Sequence, residues 1–222
     1  MPQEANIPPA TPRIPASRSR GAWITLLLTI VLGLAFDLGT KSWAFKTLAD
    51  QPFEPDRTEV LKVLKENPDE IMRLVPDHQP THTVGGLLDL SIVLNAGAVF
   101  GTGQGKRWFF ISFTGVALLF ALWLFAAWTT SRDRVAHIAI GLVIAGGLGN
   151  LYDRIMYACV RDFLHPLPGV RLPFGLHWTH GSNELWPYVS NVADALLLIG
   201  IAILMVKLWR GEKKPAGAEA AE

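Results

Sequence analysis

The chain has 222 residues, of which 50% are hydrophobic and 18% charged, and its formal net charge is +1 at neutral pH. A positive mean hydropathy excludes an ordinary soluble domain as the first expectation and points to a membrane protein. Nucleic acid is excluded as a partner, since no basic stripe interleaved with aromatic residues occurs.

Residues 1–21, MPQEANIPPATPRIPASRSRG, are rich in Pro and polar side chains and read as a disordered tail. The apolar run 22–36 follows Arg13, Arg18 and Arg20, the order of a cleaved signal peptide. No A-x-A site follows it and further apolar runs remain to be threaded, so it reads as a retained span. At 1.5 Å per residue it reaches only about 22 Å, short of the roughly 30 Å of hydrocarbon in a bilayer. The span must therefore continue through Asp37 and Lys41, which share one helix face at i, i+4. The segment 46–106 is acidic for much of its length (Asp50, Glu54, Asp56, Glu59, Glu66, Asp69, Glu70, Asp77). Within it, EVLKVLKENPDEIMRLV (59–75) has helical spacing, and LLDLSIVL (87–94) reads as a strand. GTGQGK (101–106) lacks the spacing of a phosphate loop and reads as a turn.

A second span is expected over 108–130, a basic turn at Arg132 and Arg134, and a third span over 135–152. Asn150 and Asp153 stand at i, i+3 at the end of that third run. Cys159 is the chain's one cysteine, so an intrachain disulfide and a thiolate metal cluster are both excluded. Asp162 follows, and then a Pro-, Gly- and Trp-rich segment within 156–185. His165, His177 and His180 lie in that segment without the H-E-x-x-H signature of a zinc protease, so no metal is assigned. A fourth span is expected over 186–206, with Asn191 and Asp194 at i, i+3 in its first two turns. Residues 211–222 read as a second disordered tail.

Lys and Arg cluster in the N-terminal tail, in the 132–134 turn and in the C-terminal stretch Lys207, Arg210, Lys213 and Lys214. In a four-span chain these belong to one side, which the positive-inside bias makes cytoplasmic. Asp37, Lys41, Asn150, Asp153, Asp162, Asn191 and Asp194 then all arrive near the outer interface from separate segments. Charges at span centres cost on the order of 2.5–3.5 kcal/mol each, so a convergence of this kind implies partners or a task. Ion pairing within Asp37–Lys41 and within Asp153–Arg154 supplies a purely architectural reading of those four. Asp162 and Asp194 lack a basic residue at helical spacing, apart from Arg161 beside Asp162. Two neighbouring carboxyls in a dry site share one proton, and such a pair activates water, as in aspartic proteases.

These residues sit in motifs that resemble those of the lipoprotein signal peptidases (signal peptidase II), bacterial membrane aspartic proteases. The stretches are FDLGTKSWAF, VLNAGAVFG, GGLGNLYDR, VRDF and NVADA, in the family's order and four-span layout. The resemblance implies Asp162 and Asp194 as the catalytic pair. It implies supporting or substrate-contacting roles for Asp37, Lys41, Asn95, Gly97, Asn150, Asp153, Arg154 and Asn191. It also implies a small outer β-sheet cradle containing LLDLSIVLNAGAVF. Ala158 stands where the family usually has Gly, Ser190 where it usually has Phe, and Arg161 where a small apolar residue is usual. Arg161 is expected to favour the ionised form of Asp162. Residues 48–82 and 166–185 read as insertions.

The expectation is an all-α membrane protein of four spans over residues 22–210 with a small outer β-sheet and an inserted outer segment, in the inner membrane with both termini cytoplasmic. The resemblance implies an aspartic endopeptidase that removes the signal peptide from diacylglyceryl-modified prolipoproteins, cutting before the lipid-modified Cys. It acts as a monomer among membrane lipids and needs no cofactor. A proton- or ion-coupled transporter and a catalytically inactive scaffold are the alternatives, weakened by the absence of repeated halves and by the presence of both Asp162 and Asp194. The charge bias sets a first test. Cysteines introduced at Glu70 and Gly175 should react with an impermeant thiol reagent from outside, and one at Arg132 only from inside; outside labelling at Arg132 would overturn the threading.

Overall fold

The computed structural model describes residues 14–83, 86–97, 106–178 and 181–211. Of the two tails expected to be disordered, residues 1–13 and 212–222 lie outside the described residues, as do residues 98–101 of VLNAGAVFG, residues 101–105 of the turn expected at 101–106, and His180 of the histidine cluster. Residues 16–18 form a 3-10 turn rather than tail, and the Ala16 amide donates to the Thr129 carbonyl (3.0 Å).

Four helices are long and apolar enough to cross a membrane. The first, α1 (Arg20–Thr47), starts where the Ser19 hydroxyl accepts from the Ala22 amide, and it runs eleven residues past Phe36, carrying Asp37 and Lys41 inside the helix. The hydroxyls of Thr25, Thr29, Thr40 and Thr47 donate to carbonyls one turn back, which satisfies them without water. The next two spans are α3 (Arg107–Trp128) and α4 (Arg134–Met156), and the last is α5 (Val192–Gly211).

Helix α4 is the centre of the bundle, with 61% of its apolar window buried against 11% for α3 and 17% for α5. Its composition explains this. Ala136, Ala139, Gly141, Ala145, Gly146, Gly147 and Gly149 leave a low ridge against which other backbones can approach closely. The Leu, Phe, Trp and Met side chains that would block such approach instead stand exposed on α1, α3 and α5, facing lipid.

On one side of the bundle lies a three-stranded antiparallel sheet, β1 (Thr81–His82), β2 (Leu88–Asn95) and β3 (Val160–Pro166), in that spatial order. Its register pairs Val93 with Asp162 and Asn95 with Val160. The segment read as an insertion packs under this sheet. Helix α2 (Arg57–Glu66), capped by the Asp56 carboxylate, sets Val60 into a core with Phe45, Ile92, Leu94 and Phe163. The single surface helix expected over 59–75 is two elements. Pro68 has no amide hydrogen and disfavours helical backbone at Asn67, so α2 ends and a 3-10 turn (Pro68–Leu74) begins, with the Asn67 side chain accepting from the Asp69 amide.

The fourth span also begins later than expected, at Val192 rather than near Pro187. Residues 186–191 lie outside any helix, and Ser190 exchanges backbone hydrogen bonds with Leu164 of β3 (2.7 and 2.8 Å). The bridge to β3 holds this stretch out of the helix, and Pro187 within it has no amide hydrogen for a helical bond.

The α4–α5 approach yields a packing test. A Cβ at Gly146 would collide with the Ala193 carbonyl and come within 2.9 Å of Leu197, whereas one at Gly39 meets nothing within 4 Å. Gly146→Ala should lower stability by about 1–3 kcal/mol, read as a drop in melting temperature in detergent. Gly39→Ala should not lower it. Equal melting temperatures for the two variants would contradict this packing.

Candidate active site

The polar residues of five elements meet where α1, α4 and the first turn of α5 adjoin the sheet. Asn191 directly precedes α5, and its side-chain oxygen accepts from the Asp194 amide (3.1 Å) while the Asp194 carboxylate accepts from the Asn191 amide (3.2 Å). This reciprocal capping box satisfies two amides at the helix end and fixes Asp194 in the first turn, where the helix dipole favours negative charge. The expected i, i+3 relation is therefore that of a cap and its third residue, not of two residues inside a helix.

The Asn191 side-chain nitrogen donates to Asn150 Oδ1 (3.1 Å) and to Asp162 Oδ1 (2.5 Å). Asn150, on α4, accepts at that oxygen from Lys41 Nζ as well (3.0 Å) and donates through Nδ2 to Asp194 Oδ1 (2.8 Å). An ammonium can only donate, so Lys41 dictates which end of the Asn150 amide faces it and turns the NH2 toward Asp194. Asn95, at the end of β2, donates to Asp162 Oδ2 (2.9 Å), and its own oxygen accepts from the Gly97 amide (2.9 Å). Both oxygens of Asp162 thus receive amide donors, and two asparagines bridge the two carboxyls.

Beneath this layer is a set of charges removed from solvent. Lys41 lies 2.9 Å from Asp37 and 3.2 Å from Asp153, with all three side chains at 0% exposure. Asp37 also accepts from the Ala193 amide (2.8 Å), tying α1 to the start of α5. Gly149 is required here, because a Cβ would strike the Asp37 carboxylate. Asp153 accepts from the Arg161 backbone amide (3.1 Å) and from its guanidinium (2.8 and 3.1 Å), which lies over the Tyr157 ring.

Arg161 therefore contradicts the expectation drawn from its place beside Asp162. Consecutive side chains of a strand point to opposite faces, so β3 sends Asp162 to the asparagines and Arg161 to Asp153. Asp162 is pushed up, to about 7, first by burial and then by the charge of Asp194, with the Asn95 and Asn191 hydrogen bonds opposing. The Asp153–Arg154 pairing is likewise not formed. Arg154 reaches instead to the carbonyls of Gly97 (3.1 Å) and Asn150 (3.3 Å).

One supporting residue, Arg107, stands outside the motifs named above. Arg107 donates to the Arg154 carbonyl (2.6 Å), and nothing but its position at a span end marked it. Ser190 sets the edge of β3, and its bridging role has no sequence signature. Ala158, in the usual place of a Gly, has φ 64, the left-handed region that a Gly adopts without strain. The Cys159 thiol is pushed up to about 12 by burial, which removes it as a nucleophile. Among the described residues no group of three or more His, Cys, Asp or Glu side chains is arranged to hold a metal.

A profile of the family described as Signal peptidase (SPase) II matches residues 29–210. Proteins named lipoprotein signal peptidase align with the chain from several bacteria. That of Halothermothrix orenii is 36% identical over 124 residues, 56% of this chain and 72% of the relative. That of Syntrophotalea carbinolica is 32% identical over 143 residues, covering 63% and 80%. That of Desulfitobacterium hafniense strain DCB-2 is 29% identical over 161 residues, covering 72% and 90%. In fold, the chain is similar to a bacterial membrane enzyme solved by the in meso method, with TM-score 0.60 at 22% identity over 89% of this chain and 94% of the other.

The raised Asp162 carboxyl has a consequence for stability. A carboxyl whose value is higher in the folded than in the unfolded chain stabilises the fold fully below the unfolded value, about 4, and loses that contribution as pH rises through the folded value, about 7. The melting temperature should contain a fall between about pH 4 and pH 7 that disappears in Asp162→Asn. An identical fall in that variant would show that Asp162 titrates normally.

Proposed function

The chain belongs to the signal peptidase II family, and from that premise we propose that Asp162 and Asp194 are its catalytic carboxyl pair. It is a bacterial membrane aspartic endopeptidase that removes signal peptides. The observation that carries the assignment is the joint arrangement of these two carboxyls. They come from β3 and from the capped end of α5, Asn150 and Asn191 link them, and burial holds Asp162 toward its protonated form.

The chemistry follows from the unequal surroundings. Asp162, 1% exposed, keeps the shared proton. Asp194, half-buried at the positive end of α5 with Asn150 donating to it, carries the charge and is the base. Asp194 takes a proton from water as the resulting hydroxide adds to the scissile carbonyl carbon. Asp162 gives its proton to the carbonyl oxygen, forming a neutral diol. Asp194 then passes its proton to the leaving nitrogen as the C–N bond breaks, and Asp162 recovers one from a diol hydroxyl. Lys41 acts through Asn150, while Asn191 holds both carboxyls directly; both are positioning residues, as are Asp37, Asp153 and Arg161 one layer below. Arg154 and Asn95 hold the Gly97 backbone beside Asp162, where an extended substrate can pass.

The substrate is a prolipoprotein whose Cys carries a diacylglyceryl group, cut just before that Cys, which places the scissile bond at membrane level beside the apolar faces of the bundle. The site lies at the outer face of the cytoplasmic membrane, both termini are cytoplasmic, and the enzyme works as a monomer in contact with membrane lipids. The Lys and Arg distribution supports that orientation.

Cleavage of a lipid-modified prolipoprotein by purified protein in detergent tests the assignment. Asp162→Asn and Asp194→Asn should each lower the rate by at least about a thousandfold while accumulating normally, since Asn keeps the size but cannot move the proton. In the unaltered enzyme, kcat/KM should decline on the alkaline side as Asp162, at about 7, loses the shared proton. Substantial cleavage by either variant at normal abundance would overturn the pair.

A further inference from the structure

At the end of the bundle remote from Asp162, the start of α4 and the end of α5 enclose a groove of about 570 Å³. The two ends are far apart. Arg134 and Asn150 are separated by sixteen residues of α4, about 24 Å of helix. The groove joins two chemistries. Its walls include Val135, Ile203 and Val206, and its rim carries Arg132, Arg134, Lys207 and Arg210 with one acid, Asp133.

That acid is already committed. Asp133 pairs with Lys207 (3.0 Å) and accepts from the Thr130 amide (3.1 Å) and hydroxyl (3.2 Å). It makes no side-chain cap for α4, whose positive end opens at the same place. Among the described residues no carboxylate lies in salt-bridge range of Arg132, Arg134 or Arg210, and all three are exposed. Three unbalanced guanidiniums above an apolar wall, at the end of a membrane bundle, complement an amphiphile with an anionic head.

We propose that this groove binds an anionic glycerophospholipid of the surrounding bilayer. The phosphate is held by Arg132, Arg134 and Arg210, which offer it paired donors, and an acyl chain runs along Val135, Ile203 and Val206. The excess positive charge that orients the chain thus also forms a specific lipid site. This goes beyond a diffuse attraction to the membrane surface, because the groove fixes where the head and the chain lie.

The test is lipid retention by delipidated protein in detergent, read by native mass spectrometry and by melting temperature. Phosphatidylglycerol and phosphatidylcholine of identical acyl chains are compared, with inorganic phosphate as a third probe. One phosphatidylglycerol should bind at least about tenfold more tightly than phosphatidylcholine and raise the melting temperature by about 4 °C near saturation. Phosphate alone should raise neither signal. The triple variant R132Q/R134Q/R210Q should lose the preference while still cleaving prolipoprotein in detergent, and Ile203→Trp, which fills the groove, should displace the lipid. Equal affinity for the two lipids, an equal effect of inorganic phosphate, or an unchanged preference in the triple variant would overturn the proposal. The two-lipid comparison on unaltered protein decides even if the variants accumulate poorly.

Discussion

A charge buried inside a membrane protein must meet its opposite, and the end of this molecule that carries the sheet is arranged around that need. Asp37 and Asp153 supply two negative charges, Lys41 and Arg161 two positive ones, and the four side chains are almost wholly withdrawn from solvent. Three of the groups are on two membrane helices that pack together, α1 and α4, one is on the sheet, and Asp37 also holds the start of α5 through the Ala193 amide. Removing one member leaves an uncompensated buried charge, a change worth about 3–5 kcal/mol. The cluster is therefore poor evidence of a large net stability and good evidence that the helix ends and the strand have one permitted arrangement.

The proposed catalytic layer inherits its geometry from that arrangement. Lys41 holds the oxygen of Asn150, the amide of Asn150 then faces Asp194, and Asn191 links Asn150 to Asp162. Neither carboxyl comes from the middle of a membrane helix. Asp162 comes from a strand whose partner, β2, also delivers Asn95, and Asp194 from a helix end whose cap is a member of the network. Three asparagine side-chain amides and the backbone amide of Asn191 reach the two carboxyls, which is how a dry site acquires its donors.

Much of this was legible in the sequence, and the reasons differ by element. The four spans follow from apolar length, and the i, i+4 pair Asp37–Lys41 follows from helical periodicity, because both signals are local. The strand at Leu88–Asn95 shows in its β-branched run. What failed was everything decided by tertiary direction. Arg161 and Asp162 are neighbours in the chain but face opposite sides of β3, so adjacency misassigned the cation. Arg154 follows Asp153 on α4 but reaches the Gly97 carbonyl, a contact that exists only because β2 returns to the helix. The stretch before Val192, WPYVSN, borders the apolar run without sharing its apolarity, and its pairing with Leu164 shows that it lies outside the helix. Pro68, by contrast, was a readable local break that the helical spacing on both sides concealed.

In the proposed mechanism the two carboxyls hold a single proton between them near neutral pH, and Asp162 is where it resides. Infrared spectroscopy of detergent-solubilised protein with carboxyl-labelled Asp reads this directly. At about pH 6 the unaltered protein should show a protonated-carboxyl stretch that titrates away as pH rises past about 7. The band should be missing in Asp162→Asn and retained in Asp89→Asn, whose carboxyl is paired with His82 at the far strand of the sheet. No protonated-carboxyl band at about pH 6, or one that persists in Asp162→Asn, would contradict the account.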